Sequence, residues 1–373
     1  MDQALTVEIN GKARILLSPL DWGLGHATRC IPIIRELGHY PVELFIAAEG
    51  PTQELLRAEF PHINFLSLKG YGIKYARTSF GMTWQMIRQV GRIRQAIRYE
   101  NEWLKLMVAK HGIHLVISDN RYGFYHSTIP SIIITHQLNI LSGITNWIDK
   151  RIKRMNYKRI NKFNTCWVPD EEGPNNLAGI LSHPKNLPEI PVKYIGPLSR
   201  FENFDSSVSK DFILVILSGP EPQRTILEEK LLNEFLHYKG NIVLVRGLPQ
   251  SKSVLPTTNH LQCFNHLPAS HLEQYLRSAS FVIARSGYST VMDLMRLKKR
   301  SVLIPTPGQT EQEYLARQLS ANKMAIFREQ DKFNLMETIE ASGQFAYQIP
   351  ELDFSQFKIV IKEMLARLEI QAP

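Results

Sequence analysis

Short apolar runs alternate with helical periodicity along most of the chain. The runs are four to six residues long and end in polar or glycine-containing turns. Runs of this length are typical of strands buried on both faces of a sheet. Strands that alternate with helices form parallel sheets, so the pattern predicts an α/β fold. The predicted strands are Arg14–Ser18, Val42–Ala47, Ile63–Leu68, His114–Ser118, Ser131–Thr135, Asn164–Val168, Phe212–Leu217, Ile242–Val245, Leu261–Phe264, Ser280–Ala284 and Ser301–Ile304.

The length of 373 residues favours two domains over one core. The polar segment Phe201–Lys210 is the predicted linker, which places an N-terminal domain at 1–198 and a C-terminal domain at 208–373. Asp353–Leu368 has the pattern of a final amphipathic helix. We therefore expect two doubly wound α/β domains.

The clearest strand-turn-helix repeat lies between Ser280 and Leu319. Arg285-Ser-Gly287 follows the first strand, and Pro305-Thr-Pro-Gly308 follows the second. In a parallel sheet these turns lie at the carboxyl ends of the strands, where ligands bind. A helix that begins there presents backbone N–H groups and a partial positive charge, which suits a phosphate. Arg285 is expected to add a full charge.

Polar side chains follow both turns. Asp293 lies four residues after Ser289 on one helical face, and Glu311 with Gln312 begins the next helix. Such groups suit the hydroxyls and amides of a nucleotide. The alternative is local: Ser289 or Thr290 as an N-cap, Asp293 as a solvated residue and Glu311 as a first-turn carboxylate.

Two motifs carry a resemblance to a known family. Arg-Ser-Gly-x-x-Thr-x-x-Asp-Leu at 285–294 and Pro-Thr-Pro-Gly-Gln-Thr-Glu-Gln-Glu at 305–313 resemble the C-terminal half of family 28 glycosyltransferases. That family has the GT-B fold, in which two Rossmann-like domains face a central cleft. Its members use UDP-sugars and include the lipid II N-acetylglucosaminyltransferase and diacylglycerol glycosyltransferases. Asp293 corresponds to the family's ribose-binding acidic residue, usually Glu, and Glu311 with Gln312 to its tandem glutamines.

The resemblance implies further contacts with the donor. In the family, the loop that corresponds to Ser218–Arg224 faces the diphosphate, so this loop is expected to do the same here. Its stiff Glu-Pro composition departs from the family's glycine-rich form. The expected donor-binding residues are Gly25, Ser218, Gly219, Arg224, Arg285, Ser286, Gly287, Ser289, Thr290, Asp293, Gln309, Glu311 and Gln312.

A second glycine loop, Trp22-Gly-Leu-Gly-His26, follows the first predicted strand. It resembles the family's loop beside the acceptor and donor phosphates. Asp119 ends a later strand, and some plant-type GT-B transferases pair a first-loop histidine with such an aspartate. By that analogy His26 is the base that takes a proton from the acceptor hydroxyl, oriented by Asp119. The alternatives are that His26 binds phosphate or is structural, and that Asp119–Arg121 is only a strand-end turn.

The composition is that of an ordinary globular protein, with 44% hydrophobic and 21% charged residues. Apolar runs are too short for a spanning helix, and the first residues lack a signal-peptide pattern, so we expect a cytoplasmic protein. Cys30, Cys166 and Cys263 are widely spaced and predict buried thiols. No Asp-x-Asp motif occurs, and no metal or other cofactor is expected.

The net charge of +9 favours an anionic partner. Residues 147–163 hold seven basic side chains and one acidic, with Trp147, Met155 and Phe163 among the apolar ones. This pattern favours peripheral contact with an anionic membrane, while the alternative is a helix packed on the sheet. The surface basic residues expected to extend it are Arg88, Arg92, Arg94, Arg98 and Lys105.

The function expected is inverting, metal-independent transfer of a hexose or N-acetylhexosamine from a UDP-sugar to a hydroxyl of a cell-envelope glycan or lipid. The alternative within the same fold is a nucleotide-sugar hydrolase or epimerase. A nucleic-acid-binding protein is disfavoured, because no motif interleaves basic and base-stacking aromatic residues.

Overall fold

The computed structural model describes residues 12–71, 79–202, 211–253, 255 and 257–368, with the backbone alone for 79–90. The chain forms two compact units. The predicted linker lies mostly outside the described residues, as does the predicted start of the second domain. Each unit is a parallel sheet with helices between its strands, as the alternating pattern predicted.

The first unit contains a seven-stranded sheet in the order β3-β2-β1-β4-β5-β6-β7. Every neighbouring pair is parallel. The strands are β1 (Ala13–Pro19), β2 (Val42–Ala47), β3 (Asn64–Leu66), β4 (Leu115–Asp119), β5 (Ser131–Ile134), β6 (Thr165–Val168) and β7 (Val192–Tyr194). The helices that connect them are α1 (Leu24–Leu37), α2 (Gly50–Glu59), α3 (Ser79–His111) and α4 (Asn146–Ile160), with a 3-10 turn at Gly179–Leu181.

The second unit contains a six-stranded parallel sheet in the order β10-β9-β8-β11-β12-β13. Its strands are β8 (Phe212–Ile216), β9 (Asn241–Val245), β10 (Leu261–Phe264), β11 (Phe281–Ala284), β12 (Ser301–Leu303) and β13 (Ile326–Phe327). Its helices are α5 (Gln223–Phe235), α6 (Ala269–Ser278), α7 (Tyr288–Arg296), α8 (Thr310–Ala321) and α9 (Leu335–Gln344).

The apolar strands form the cores of both units, because each sheet is covered by helices on both faces. In the second unit Val215, Leu244 and Ile283 of adjacent strands pack with Leu227 and Leu231 of α5 in one buried cluster. All three cysteines are buried free thiols, as predicted.

The last helix, α10 (Gln356–Arg367), belongs to the first unit, although the sequence-based division placed it in the second. Phe357 and Ile361 are buried. Gly196 approaches so closely that a Cβ there would lie 2.3 Å from the Asp353 carbonyl oxygen. Lys193 of β7 pairs with Glu363 at 2.7 Å. The amphipathic pattern predicted the helix, but a pattern does not specify which sheet covers its apolar face.

Candidate functional site

The strand order of the first sheet reverses between β1 and β4. In doubly wound sheets, ligands bind at the carboxyl ends of the strands beside such a reversal. Pro19 at the end of β1 is paired with Asp119 at the end of β4. The next residue, Leu20, donates its backbone N–H to the Asp119 carbonyl at 3.0 Å. The loop before α1 and the end of β4 therefore meet at the position where a ligand is expected.

His26 and Asp119 lie together there. The His26 Nδ1 atom is 3.1 Å from Asp119 Oδ2. Arg29 donates its Nε–H to both carboxylate oxygens, at 2.9 and 3.0 Å, and its Nη2 also contacts Oδ1. His26, Arg29 and Cys30 are three and four residues apart, so one face of α1 presents all three to the same carboxylate. The structure thus brings together the two predicted catalytic residues and adds Arg29.

Burial and nearby charges set the protonation states of Asp119 and His26 at neutral pH. Burial alone would raise the pKa of Asp119, but the Arg29 charge, together with hydrogen bonds from His26 and Arg29, outweighs burial and lowers it to about 2. Burial lowers the pKa of His26, and the Arg29 charge lowers it further. Asp119 is therefore ionised while His26 is neutral. With the Nδ1–H donated to Asp119, the Nε2 lone pair is able to accept a proton.

The glycines of this loop occupy the start of α1. Gly23 is the N-cap residue and has a φ of 95°, a left-handed conformation that glycine adopts without steric cost. Gly25 lies in the first turn, where its carbonyl accepts the Thr28 hydroxyl at 3.0 Å. A predicted contact between Gly25 and the donor stays a prediction.

A buried ionic network supports the same loop. Arg121 donates to Glu100 at 2.6 Å and to the Pro19 carbonyl at 2.8 Å. The Tyr71 hydroxyl donates to the other Glu100 oxygen at 2.7 Å. Burial raises the pKa of Glu100 despite these partners. Sequence reasoning missed Glu100, because nothing in a long helical pattern marks one glutamate as buried.

The second sheet reverses its order between β8 and β11. Ala284 at the end of β11 is paired with Ile216 at the end of β8. The candidate residues Ser218 and Gly219 follow β8, while Ser286 and Gly287 follow β11, so both sets lie at the ligand-binding edge of the sheet. Gly219 has a φ of 105° and is exposed.

Arg285 is positioned differently from the expectation. It is 1% exposed. Its guanidinium donates to the carbonyls of Ile304, Pro305 and Gln223 at 3.2, 2.9 and 2.8 Å, and to Gln330 Oε1 at 2.7 Å. Arg285 therefore connects three chain segments, and no carboxylate among the described residues pairs with it. Burial lowers the pKa of Arg285 to about 9, so it remains charged at neutral pH.

Arg224 also differs from its predicted role as a bidentate phosphate ligand. It is 4% exposed and donates to Glu221 at 2.6 Å and to Glu228 at 2.8 Å. Arg246 forms a bidentate pair with the same Glu228, with both distances 2.8 Å. Two carboxylates thus already neutralise the Arg224 guanidinium. Sequence reasoning missed Arg246 because it lies 22 residues from Arg224 and meets it only in the folded sheet. Glu228 was also missed, although its spacing of four residues places it on the same face of α5 as Arg224.

The loop before α8 is held by its own side chains. Gln312 accepts the Thr306 backbone N–H at 2.9 Å and donates to Gln309 Oε1 at 2.5 Å. The Ser286 hydroxyl donates to the Gln312 carbonyl at 2.8 Å. Glu313, which sequence reasoning missed, accepts the Gly308 N–H at 2.8 Å. Gln309 and Gln312 therefore shape this loop in the structure.

Helix α7 carries the remaining candidates. Gly287 is its N-cap, and no side-chain hydrogen bond caps the helix start. Ser289 and Thr290 follow in the first turn and are partly exposed, while Asp293 is 7% exposed. Glu311, in the first turn of α8, is partly exposed. The helix start thus offers a partial positive charge next to these groups.

Residues 223–351 match the Glycosyltransferase family 28 C-terminal domain. This part of the chain therefore has the C-terminal domain of family 28 glycosyltransferases, and the whole chain is similar to glycosyltransferases of that kind. Over 334 residues it is 25% identical to the UDP-N-acetylglucosamine--N-acetylmuramyl-(pentapeptide) pyrophosphoryl-undecaprenol N-acetylglucosamine transferase of Bacillus subtilis (strain 168), which covers 85% of this chain and 86% of the relative. It is 24% identical over 317 residues to an uncharacterized glycosyltransferase of Methanosarcina acetivorans, covering 78% and 79%. The resemblance predicted from the two motifs is confirmed.

Solved structures agree on the fold of this glycosyltransferase. The glycotransferase of kitacinnamycin superposes with a TM-score of 0.63 at 14% identity, covering 96% of this chain and 95% of the other. The spinosyn rhamnosyltransferase gives a TM-score of 0.60 at 15% identity, covering 96% and 97%. The predicted GT-B class, with two doubly wound domains, is confirmed.

The basic helix α4 of the glycosyltransferase is packed at one end and exposed at the other. Ile160 and the following Phe163 are buried in a cluster with Ile133 and Val168. Trp147 at the opposite end is 67% exposed. Among the helices that the structure describes, none has the length and apolar character to cross a membrane. In the described ranges no cluster of three or more His, Cys, Asp or Glu side chains is arranged to hold a metal ion.

Proposed function

We propose that this glycosyltransferase moves a hexose or N-acetylhexosamine from a UDP-sugar to a hydroxyl of a cell-envelope glycan or lipid. The observation that carries the proposal is the contact between His26 and Asp119 at the reversal of the first sheet. An ionised Asp119 orients the imidazole, and a neutral His26 has a free Nε2 lone pair. The name of the Bacillus subtilis relative supports a UDP-sugar donor and a lipid-linked acceptor.

The proposed reaction is a single displacement. The acceptor hydroxyl attacks the anomeric carbon, its proton moves to His26 Nε2, and the bond from that carbon to the diphosphate oxygen breaks to release UDP. Attack opposite the leaving group inverts the anomeric configuration. An imidazole whose pKa lies below its ordinary value stays unprotonated at neutral pH and is ready to take this proton.

The leaving UDP gains negative charge, which the second unit is suited to stabilise. The start of α7 has no side-chain cap and provides the positive end of a helix dipole. Arg285 adds a buried positive charge that neutral acceptors hold in place. We assign Arg224 no direct phosphate contact, because Glu221 and Glu228 already pair with it. This arrangement supplies charge stabilisation from the protein itself, and the proposed reaction needs no metal.

The donor part of the proposal is tested by nucleotide binding. Thermal shift with UDP, GDP, dTDP and CMP in the presence of EDTA is expected to show selective stabilisation by UDP. Asp293→Ala is expected to lose it, whereas Asp331→Ala, at an exposed position in the same unit, keeps it. No stabilisation of the wild type by any nucleotide contradicts the donor assignment. UDP stabilisation that appears only when EDTA is replaced by Mg²⁺ contradicts metal independence.

Release of UDP from UDP-sugars tests the reaction. We expect release to depend on an added acceptor, since the acceptor hydroxyl is the nucleophile. Release at the same rate with water alone would favour the hydrolase alternative. Retention of the anomeric configuration in the product, read from its proton NMR coupling constant, would contradict the single displacement.

We also propose that α4 places the enzyme on an anionic membrane surface. Trp147 is exposed beside Arg151, whose guanidinium lies 5.9 Å from the indole ring centre. Lys150, Arg154 and Lys158 are exposed on the same helix. Lys and Arg side chains beside an exposed indole suit the interface of an anionic bilayer. Such a surface would bring the enzyme to a lipid-linked acceptor on the cytoplasmic side of the plasma membrane.

Flotation with vesicles tests this contact. Reversal of the charges at Lys150, Arg151, Arg154 and Lys158 is expected to abolish binding to vesicles that contain phosphatidylglycerol. Lys153 is left unchanged because it lies 5.2 Å from the Tyr157 ring centre, so its replacement would disturb packing. Reversal at the exposed Lys239 and Lys252 of the second unit is a control for charge reversal away from α4. Equal flotation of all three proteins would contradict the membrane assignment.

A further inference from the structure

The turn that follows Asp119 has a backbone conformation that most residues avoid. Asn120 has a φ of 61°, in the left-handed region, where asparagine is one of the few non-glycine residues found with any frequency. Three hydrogen bonds hold the turn: Asn120 N–H to the Ile134 carbonyl at 3.1 Å, Arg121 N–H to Ser118 Oγ at 3.1 Å, and the Ser118 hydroxyl to the Arg121 carbonyl at 2.7 Å. Successive strand residues normally point to opposite faces, and the left-handed turn ends that alternation.

The side chain of Asn120 is enclosed but incompletely paired. It is 8% exposed, and its Oδ1 has no hydrogen-bond partner among the described residues. A buried polar atom without a hydrogen-bond partner is destabilising, so its presence needs an explanation. The Trp22 Nε1–H, in the loop that leads to His26, is likewise buried without a partner in the described part of the chain.

These observations meet at one place in the fold. Asn120 directly follows Asp119, which contacts His26. Trp22 lies in the loop whose Leu20 is bonded to the Asp119 carbonyl. Left-handed non-glycine residues and unpaired buried polar groups are concentrated at ligand sites, where the ligand completes the hydrogen bonding. Asn120 Oδ1 and Trp22 Nε1 therefore belong to the segments that meet at the end of β4, where Asp119 contacts the proposed base His26.

We propose that Asn120 binds the acceptor and holds a hydroxyl group beside His26. A side-chain amide provides both an acceptor and a donor, which matches a hydroxyl that also does both. The unpaired atom is the acceptor Oδ1, which suits a sugar or glycerol hydroxyl that donates a hydrogen bond and does not suit an ionised phosphate oxygen. This inference rests on the proposed function and names the chemical class of the group that is attacked. It assigns to Asn120 the placement of that hydroxyl, and to His26 the transfer of its proton.

Asn120→Gly tests the role of the side-chain amide independently of the backbone turn. Glycine adopts a φ near 60° without steric cost, so this substitution removes the side chain and retains the backbone conformation. Asn120→Asp provides a second test, because it keeps the shape and replaces the donor with an oxygen. Lys323→Gly is the matched control, since Lys323 also has a left-handed φ, 57°, but is exposed.

The assay measures transfer from UDP-N-acetylglucosamine to two acceptors, dioleoylglycerol in detergent micelles and undecaprenyl-diphosphate-linked N-acetylmuramoyl pentapeptide. For Asn120→Gly we expect kcat/KM for the acceptor to fall at least about tenfold, with the KM of the donor and the unfolding temperature unchanged. For Asn120→Asp we expect the same fall in kcat/KM for the acceptor, with the KM of the donor again unchanged. Lys323→Gly is expected to match the wild type.

Acceptor kinetics within twofold of the wild type for Asn120→Gly would overturn the assignment, because a turn residue alone is replaceable by glycine. A rise confined to the KM of the donor in both Asn120 variants would also overturn it. If Asn120→Gly fails to fold, Asn120→Asp decides by the same criteria. If the wild type transfers to neither acceptor, the proposed function fails on these acceptors and the role of Asn120 falls with it. That result differs from the others because wild-type transfer itself is absent.

Discussion

Asp119→Asn tests whether the buried ion pair beside His26 has the energetic weight that its geometry indicates. The substitution keeps the shape of the side chain and removes the charge that faces Arg29. Arg29 is 2% exposed, so its guanidinium would remain buried beside a neutral amide. Breaking a buried ion pair from one side costs about 3–5 kcal/mol.

The pKa of Asp119 provides an independent value for the free energy by which its charge stabilises the fold. Its fall from an ordinary 3.8 to about 2 corresponds to about 2.5 kcal/mol, at about 1.36 kcal/mol per unit. We therefore expect Asp119→Asn to lower the free energy of unfolding at pH 7 by about 2.5–5 kcal/mol. Glu43→Gln is the control, because Glu43 pairs with Arg14 at 2.8 Å while both side chains are over a third exposed. Its expected cost is below about 1 kcal/mol.

The assay is urea unfolding followed by circular dichroism at pH 7, 5 and 3. Because the pKa of the folded carboxylate is depressed, the stabilisation is complete above pH 3.8 and is lost as the pH falls towards 2. The difference between wild type and Asp119→Asn should be equal at pH 7 and 5 and smaller at pH 3. A loss no greater than that of Glu43→Gln, or a difference that does not shrink at pH 3, would show that the Asp119–Arg29 pair does not stabilise the fold to this extent.

Other substitutions test three further groups: His26, the buried Glu100 network and the buried Arg285. His26→Ala is expected to slow transfer by about 10²–10⁴-fold without weakening UDP binding, and unchanged transfer would remove His26 as the base. Because the pKa of His26 is lowered, the acid limb of kcat/KM for the wild type should have its midpoint below pH 6.5; a midpoint above that value contradicts a neutral base. Tyr71→Phe removes a donor from the buried Glu100 and should cost about 1–3 kcal/mol in thermal unfolding, with an unchanged unfolding temperature as the contrary result. Gln330→Leu removes an acceptor from the buried Arg285 and should cost a similar amount, which equal stability would disprove.

Local patterns predicted most of the strands because a buried parallel strand requires an unbroken apolar run. The prediction Val42–Ala47 coincides with β2, and Leu261–Phe264 with β10. The pattern did not reveal α2, α6 or α9. Helix α2 has few buried residues, with Thr52 and Leu56 buried along ten positions, so its apolar periodicity is weak. Helix α6 differs, because its buried residues Leu272 and Leu276 have the i,i+4 spacing of a helix, so its pattern was present and was overlooked.

The candidate site was predictable where topology alone positions a residue. His26 follows β1 and Asp119 ends β4, and adjacent parallel strands bring such positions together. Arg29 was missed although it lies three residues after His26, a spacing that places both on one helical face. The predicted roles of Arg224 and Arg285 depended on charge alone. Whether an arginine is available to a ligand depends on its partners. Glu228 lies one helical turn from Arg224, a spacing that was overlooked, whereas Gln330 lies 45 residues from Arg285.

The amino-acid pattern was sufficient to predict the α/β class, most of the strands, and the two glycine-containing turns of the family 28 motif. These features are set by periodicity and by residues within a few positions of one another. Three features depended on the folded structure: α10 joins the first unit, Arg285 is buried among neutral acceptors from distant segments, and Asn120 Oδ1 has no hydrogen-bond partner among the described residues. The reason is physical: burial, charge neutralisation and hydrogen-bond satisfaction depend on which atoms become neighbours when the sheets form.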